Sequence, residues 1–279
     1  RIERIYHVGD YTGRAIMQAL YRQMAQRSNI QVLLFVTVFD LLRHSGECCG
    51  VCAAMPSGEY VNLYADCTVL ATGGIGGLFQ ASSNFRHIAG DGLGIALKHY
   101  LGVSDLEKIQ IHPTMLYTTD DNRKPLVTEA LRGAGAKLYD RKGNRFVDEL
   151  LPRDVVSDAI LKQQRETGSP FVYLDWSMLS EEAFRRKFPT VYQSCVDYGI
   201  PFDDKRIPVT PGQHYYMGGI FVDEAGRTTM PRLYAIGEAA CAGFHGSNRL
   251  ASNSLLEAGY FGQAAARAIA ANPTSIRCP

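Results

Sequence analysis

Cys67-Thr68-Val69-Leu70-Ala71-Thr72-Gly73-Gly74-Ile75-Gly76-Gly77 is a short apolar run that ends in a string of glycines. The run reads as a β-strand. Glycines directly behind it let the backbone approach a phosphate or a flat ring, as at the ligand-lined carboxyl end of an open α/β sheet. Upstream, Thr12 to Arg27 carries Ile16, Leu20 and Met24 at helical spacing, which predicts an amphipathic helix. Gln31 to Leu42 reads as a strand, and Cys49 to Ala54 with Tyr60 to Tyr64 flank Pro56-Ser57-Gly58 as a hairpin. Downstream, Asp91-Gly92 opens a helix through His99, with Asp91 either its cap or a polar contact to a cofactor.

From Lys108 to about Gly219 the texture changes to more charge, scattered prolines and helices over Arg153 to Glu166 and Ser180 to Tyr198, the pattern of an inserted unit. Its Arg141, Arg165, Arg185 and Arg186 read as surface charge. Arg153 differs, because Pro152 before it and Asp154 after it fix its place at a helix start. Sheet texture returns with Ile220 to Asp223 and Leu233 to Ile236, and Glu238 follows the second strand, where a carboxylate can accept hydrogen bonds from a cofactor's hydroxyls. Thr72 and Glu238, at two strand ends, are expected to converge on one ligand.

The densest signal is His245-Gly246-Ser247-Asn248-Arg249-Leu250-Ala251-Ser252-Asn253-Ser254-Leu255-Leu256-Glu257, two cationic side chains and several small polar ones before a helix. Ser252, Asn253 or Ser254 is expected to cap a helix with its body over Leu255 to Ile269, so that free N–H groups and the positive end of the dipole face an anion or a polar ring edge. His112-Pro113-Thr114, Thr128-Glu129-Ala130-Leu131-Arg132-Gly133, Pro152-Arg153-Asp154 and His214-Tyr215-Tyr216-Met217-Gly218-Gly219 likewise set a His or Arg beside turn formers.

The chain has 279 residues, 46% of them apolar, enough for a large core and two domains. With 29 Lys and Arg against 28 Asp and Glu, no global field favours nucleic acid or an anionic membrane, so an anionic ligand must be met by local cations. No apolar run approaches the roughly 20 residues that span a bilayer, residues 1 to 30 are charged and polar without a signal-peptide pattern, and a cytoplasmic protein is expected. Seven cysteines, an odd number, suggest reduced thiols; Cys49-x-x-Cys52 lacks a second pair at zinc spacing, so no metal is expected. Arg1 in place of Met, and the mid-domain texture of Ile2 to Gly13, suggest a piece of a longer protein.

Taken in order, Ala71-Thr72-Gly73-Gly74, His112-Pro113-Thr114, Thr128-Glu129-x-x-Arg132-Gly133, Arg153-Asp154-Val155-Val156, His214-Tyr215-x-Met217-Gly218-Gly219, Gly237-Glu238 and His245-Gly246-x-Asn248-Arg249-Leu250 resemble the flavoprotein family of fumarate reductases, succinate dehydrogenases and L-aspartate oxidases. Within it, Arg249-Leu250-Ala251-Ser252-Asn253-Ser254-Leu255-Leu256-Glu257 and Gly226-Arg227-Thr228 lean toward the L-aspartate oxidase branch. A respiratory succinate dehydrogenase or fumarate reductase subunit is the runner-up. An inactive flavoprotein fragment is the non-enzymatic alternative.

The resemblance implies an α/β fold, a Rossmann-like FAD-binding domain (1–107 and 220–279) interrupted by an α+β capping domain (108–219) that closes over a dicarboxylate. It implies FAD, held by Thr37, Val38, Thr72, Gly73, Gly74, Asp91, Glu238, Ser254 and Leu255. It further implies substrate contacts from His112, Thr128, Glu129, Arg132, His214 and Arg249, with Arg153 as the proton-transferring group. The substrate would be L-aspartate, fumarate or succinate, and the electron acceptor oxygen or fumarate. The family's glycine-rich dinucleotide fingerprint is expected before residue 1 and a helical bundle after residue 279. Without the fingerprint this segment alone should bind FAD poorly. The stretch between Phe146 and Pro152 is shorter than in many relatives.

Overall fold

In the computed structural model, which describes residues 6–272, the elements follow in the order α1 (Thr12–Ala25), β1 (Thr37–His44), β2 (Glu47–Ala54), β3 (Tyr60–Tyr64), β4 (Thr68–Leu70), α2 (Asp91–Lys98), β5 (Val103–Ser104), β6 (Ile109–Leu116), α3 (Glu129–Gly133) and β7 (Lys137–Tyr139). They continue with α4 (Arg153–Thr167), β8 (Val172–Asp175), α5 (Glu181–Lys187), α6 (Pro189–Asp197), β9 (Arg206–Tyr216), β10 (Gly219–Phe221), β11 (Leu233–Ala235), β12 (Ala240–Cys241) and α7 (Asn253–Ala271). The chain divides into two compact units. The first takes residues 6–31, Phe79–Asn84 and Ile111–His214; the second takes Val32–Leu78, Phe85–Gln110 and residues 215–272. Residues up to 31 and 79–84, assigned by sequence to the first part of the flavin domain, therefore sit with the residues of the inserted stretch.

The first unit is built on a four-stranded sheet of order β6-β9-β8-β7. Its core gathers the fully buried Trp176, Phe184, Ile160, Leu131, Leu174 and Ile207, with the Trp176 and Phe184 rings stacked at 4.3 Å. The helix expected over Ser180 to Tyr198 is two helices, α5 and α6. Pro189 has no N–H to continue the ladder, and the chain breaks at Phe188 (φ −131°, ψ 56°), so Pro189 begins α6 instead. Arg141, Arg165, Arg185 and Arg186 are exposed, as surface charges should be.

In the second unit β4 and β11 run parallel, Leu70 opposite Ala235, so the Thr72-Gly73-Gly74 loop and the Gly237-Glu238 turn leave the same end of the pair. β1, β2 and β3 form an antiparallel meander, and β12, β10 and β5 a second small sheet. Leu41, Leu70, Ile95, Ile220, Leu233 and Phe261 form the core. Two expectations fail here. The strand expected from Gln31 begins at Thr37, because Phe35 takes a left-handed turn conformation (φ 58°) that breaks the extended run and leaves Leu34 and Phe35 exposed. Asp91 is not the cap of α2; Gly90, at φ 84°, holds that position and Asp91 lies in the first turn.

Candidate functional site

The first unit collects His112, Thr128, Glu129, Arg132, Arg153 and His214. Thr128 caps α3, its Oγ1 accepting from Ala130 N–H, so Glu129 and Arg132 start and end a single turn of helix. Arg153 opens α4 and donates through Nε (2.8 Å) and Nη2 (2.7 Å) to Glu129 Oε2. Arg132, 2% exposed, lies 3.9 Å from the same carboxylate oxygen and donates through Nη1 to the Glu149 carbonyl at 2.6 Å. Its Nε and Nη2 are buried with no hydrogen-bond acceptor among the described residues. Burial lowers the pKa of Arg132 and Arg153 adds to the effect, against the pull of Glu129.

His112 is wholly buried on β6, and its ring stands 5.3 Å from that of His214 on β9 in an edge-to-face arrangement. Its Nδ1 accepts from Thr114 N–H at 3.2 Å, while Nε2 is buried without a partner. Burial first, then His214, Arg153 and Arg132, holds its pKa well below the ordinary value, so the ring is neutral. Among the described residues, N–H donors of His112 and Arg132 thus lie where no acceptor is supplied. Buried donors of that kind are matched by an anionic ligand such as a carboxylate.

The second unit holds the remaining candidates. Thr37, Val38, Gly90, Asp91, Ile95 and Lys98 line a cavity of about 450 Å³. Glu238 accepts from Tyr216 N–H at 2.8 Å. A Cβ on Gly74 would stand 2.6 Å from Glu238 Oε1, so only glycine lets the loop after β4 lie against that carboxylate. Burial pushes the Glu238 carboxyl up to about 7, opposed by the Tyr216 N–H and by Arg249 and aided by Glu257. Carboxylates beside a glycine cradle are the chemistry that ribose and ribityl hydroxyls need, and the residues fit FAD.

Arg249, 4% exposed, has its guanidinium 4.5 Å above the Tyr215 ring. Tyr215 donates to Glu257 at 2.8 Å, and His245 Nε2 meets the same Glu257 oxygen at 2.7 Å. Gln110 donates to the Arg249 carbonyl at 2.7 Å. Ser254 and Leu255 stand in the first turn of α7, with Ser254 Oγ accepting from Arg249 at 3.3 Å. The expected side-chain cap is absent: Ser252 occupies the cap position at φ 67°, a left-handed conformation outside the extended backbone of a capping residue, with no side-chain cap bond. Sequence reasoning gave no role to Ser83, Tyr215 or Glu257. Tyr215 and Glu257 were visible inside quoted motifs, whereas nothing in Ser82-Ser83-Asn84 marked a site.

A family model described as FAD binding domain matches residues 1–255. L-Aspartate oxidase of Clostridium acetobutylicum is 44% identical over 96% of this chain and 62% of its own length. That of Clostridium perfringens is 43% identical over 92% and 58%. The E. coli quinol fumarate reductase FrdA carrying a Glu-to-Gln mutation superimposes with a TM-score of 0.87 at 33% identity, covering 99% of this chain and 52% of that one. The chain therefore spans less than two thirds of each of these relatives.

Proposed function

This chain belongs to the FAD-binding-domain family of fumarate reductases, succinate dehydrogenases and L-aspartate oxidases, with FAD as cofactor, and from that premise we propose that it provides the catalytic residues of an L-aspartate oxidase. The reaction converts L-aspartate to iminoaspartate, the first step toward quinolinate and NAD. FAD, when bound, supplies the acceptor for two electrons and the Cα hydrogen. Thr37, Val38, Thr72, Gly73, Gly74, Asp91, Glu238, Ser254 and Leu255 would hold it. The observation that carries the substrate assignment is the set of buried, acceptor-less N–H groups on His112 and Arg132 beside the Arg153 guanidinium.

In this reading His112, through its Nε2–H, and His214 and Arg132 grip a carboxylate, and Thr128 fixes the helical turn that aims Arg132. Arg249 is retained as a substrate-binding residue on the strength of its motif. Forming the imine requires the amine to lose a proton. Arginine has an ordinary pKa above about 12, so it moves a proton only with a partner that shares its charge. Glu129, bound by both Nε and Nη2 of Arg153, is that partner, and Arg132 adjoins the same oxygen. With fumarate as substrate the electron flow is opposite, and Arg153 would donate a proton to carbon and recover one through Glu129.

The structural match to a fumarate reductase flavoprotein favours succinate and fumarate as the second reading. Anaerobic titration of the full-length flavoprotein separates them. L-Aspartate should bleach the oxidised flavin band; bleaching by succinate with none by L-aspartate would overturn the proposal in favour of the respiratory reading.

A further inference from the structure

We propose that Tyr215 is a positioning residue for substrate binding: the face of its ring holds the Arg249 guanidinium in the orientation that meets a substrate carboxylate. The inference rests on the reading above that Arg249 binds the dicarboxylate.

A guanidinium grips a carboxylate through two parallel N–H groups, so the plane of the fork matters as much as its charge. A long side chain whose plane must be ordered when the ligand arrives loses affinity, and one already in place does not. In the second unit Arg249 Nη1 donates to the Leu250 carbonyl and to Ser254 Oγ at 3.3 Å each, long beside the roughly 2.9 Å of a strong hydrogen bond. Gln110 donates to the Arg249 carbonyl at 2.7 Å, which fixes the backbone and leaves the plane of the fork to other contacts. Tyr215 supplies one. The guanidinium carbon stands 4.5 Å from the centre of its ring, and both residues are buried. The attraction of a cation to an aromatic face is greatest where water is excluded. A ring face also orients the fork without occupying any of its N–H groups, whereas a carboxylate in its place would compete with the substrate for them.

The ring is itself held for this task. Its hydroxyl donates to Glu257 Oε2 at 2.8 Å, and His245, which meets the same oxygen at 2.7 Å, packs edge-on against it with the ring centres 5.3 Å apart. The chain is pinned on either side of Tyr215: the His214 ring before it meets the Ser83 hydroxyl at 2.8 Å, and the Tyr216 N–H after it donates to Glu238 at 2.8 Å. Burial first, then Glu257, pushes the Tyr215 pKa up against the pull of Arg249, so the side chain stays a neutral phenol that donates. Donation to a carboxylate draws the phenol proton outward and enriches the ring in electrons, which strengthens its hold on a cation. Tyr215 therefore carries the rigidity of the Glu257 network to the plane of Arg249.

The test measures KM and kcat of the full-length holoenzyme for the dicarboxylate that bleaches its flavin. Tyr215→Leu, which removes the ring face, should raise KM about tenfold with kcat changed far less, and Tyr215→Phe, which keeps the face, should bring KM back to within a few-fold. Arg249→Leu alone should raise KM more than Tyr215→Leu does, and adding Tyr215→Leu to it should change nothing further, because a residue that acts through Arg249 then has nothing left to place. A folded Tyr215→Leu with unchanged KM overturns the proposal, as does an equal rise in Tyr215→Phe or a Tyr215→Leu effect that persists in full without Arg249. Arg249→Leu with unchanged KM would sink the reading of Arg249 and this inference with it. If Tyr215→Leu does not fold, the Arg249 Nε–H proton of the substrate-free enzyme labelled with ¹⁵N at arginine, identified by its loss in Arg249→Leu, decides. The ring should shift it upfield of an exposed arginine, and an unshifted signal overturns the proposal.

Discussion

The two buried polar clusters of this chain differ in what they leave open. In the first unit, His112 Nε2 and Arg132 Nε and Nη2 have no acceptor among the described residues, and the carboxylate shared by the two guanidiniums, Glu129, is bound by both Nε and Nη2 of Arg153. In the second unit, Glu257 receives both Tyr215 and His245, and Arg249 lies on the Tyr215 ring. One cluster is dominated by surplus donors; the other gathers two donors on its own carboxylate, Glu257, with the buried Arg249 Nε outside that network. A buried cluster of surplus donors is destabilising unless a ligand completes it, so it marks function, while a closed network contributes mainly to shape.

The largest effect should come from the open cluster. Arg153→Lys keeps the charge but loses the bidentate geometry on Glu129, and turnover of the full-length enzyme should fall about a thousandfold. Flavin content and the Kd for L-aspartate should stay within a few-fold. Steady-state kinetics together with equilibrium titration measure both; unchanged turnover would remove the distinction between the clusters.

The closed cluster should answer in stability instead. Glu257→Leu strands the Tyr215 hydroxyl and the buried His245, and should destabilise the second unit by roughly 3 kcal/mol, seen as about a hundredfold loss of hydrogen-exchange protection in α7. Were turnover to fall with protection intact, Glu257 would belong with the catalytic groups.

How much of this contrast was legible in the sequence can be argued residue by residue. The glycines after β4 and Glu238 after β11 announced their meeting, because a strand followed by small residues has few other uses. The sheet of the first unit was not foreseen. β9 contains Pro208, Pro211 and Gly212, the residues of a turn, yet runs eleven residues, with Pro208 facing Tyr173 of β8. Proline is tolerated where the ladder asks no N–H of it, and a linear reading cannot tell which positions those are. The Ser83 contact was equally hidden, since it joins residues 131 apart in sequence. The hydroxyl has meaning only once β9 is in place.

A smaller, pH-dependent effect probes the carboxylate in the closed unit that is not fully satisfied. The folded pKa of Glu238, about 7, lies above its ordinary value of 4.5. The folded state is therefore unpenalised below pH 4.5, loses stability as pH rises toward 7, and carries the full penalty, on the order of 3 kcal/mol, above it. Glu238→Gln should flatten urea-unfolding stability across that window. Hydroxyl donors from bound FAD favour the ionised carboxylate, so FAD affinity should rise with pH toward 7 in the unaltered protein and lose that slope in the variant. A slope that survives in Glu238→Gln assigns the proton to another group.

The smallest effect should come from the pair at the surface. Asp40 accepts from Lys98 and from His99 at 2.6 Å, and these bonds outweigh burial, which raises the pKa, to hold its carboxyl at about 2 against an ordinary 3.8. The sign is opposite to that of Glu238: the stabilisation is present above pH 3.8 and is lost as pH falls through 2. Lys98 is 60% exposed, so solvent screening reduces the contribution, and Asp40→Asn should lower stability at pH 7 by under about 1 kcal/mol, less still in high salt. Yet Lys98 also lines the cavity with Asp91, and Asp40 fixes where its ammonium stands. If Asp40→Asn changed FAD affinity more than stability, the contrast would have to be redrawn, because a cation of the closed unit would then be held for a ligand as well.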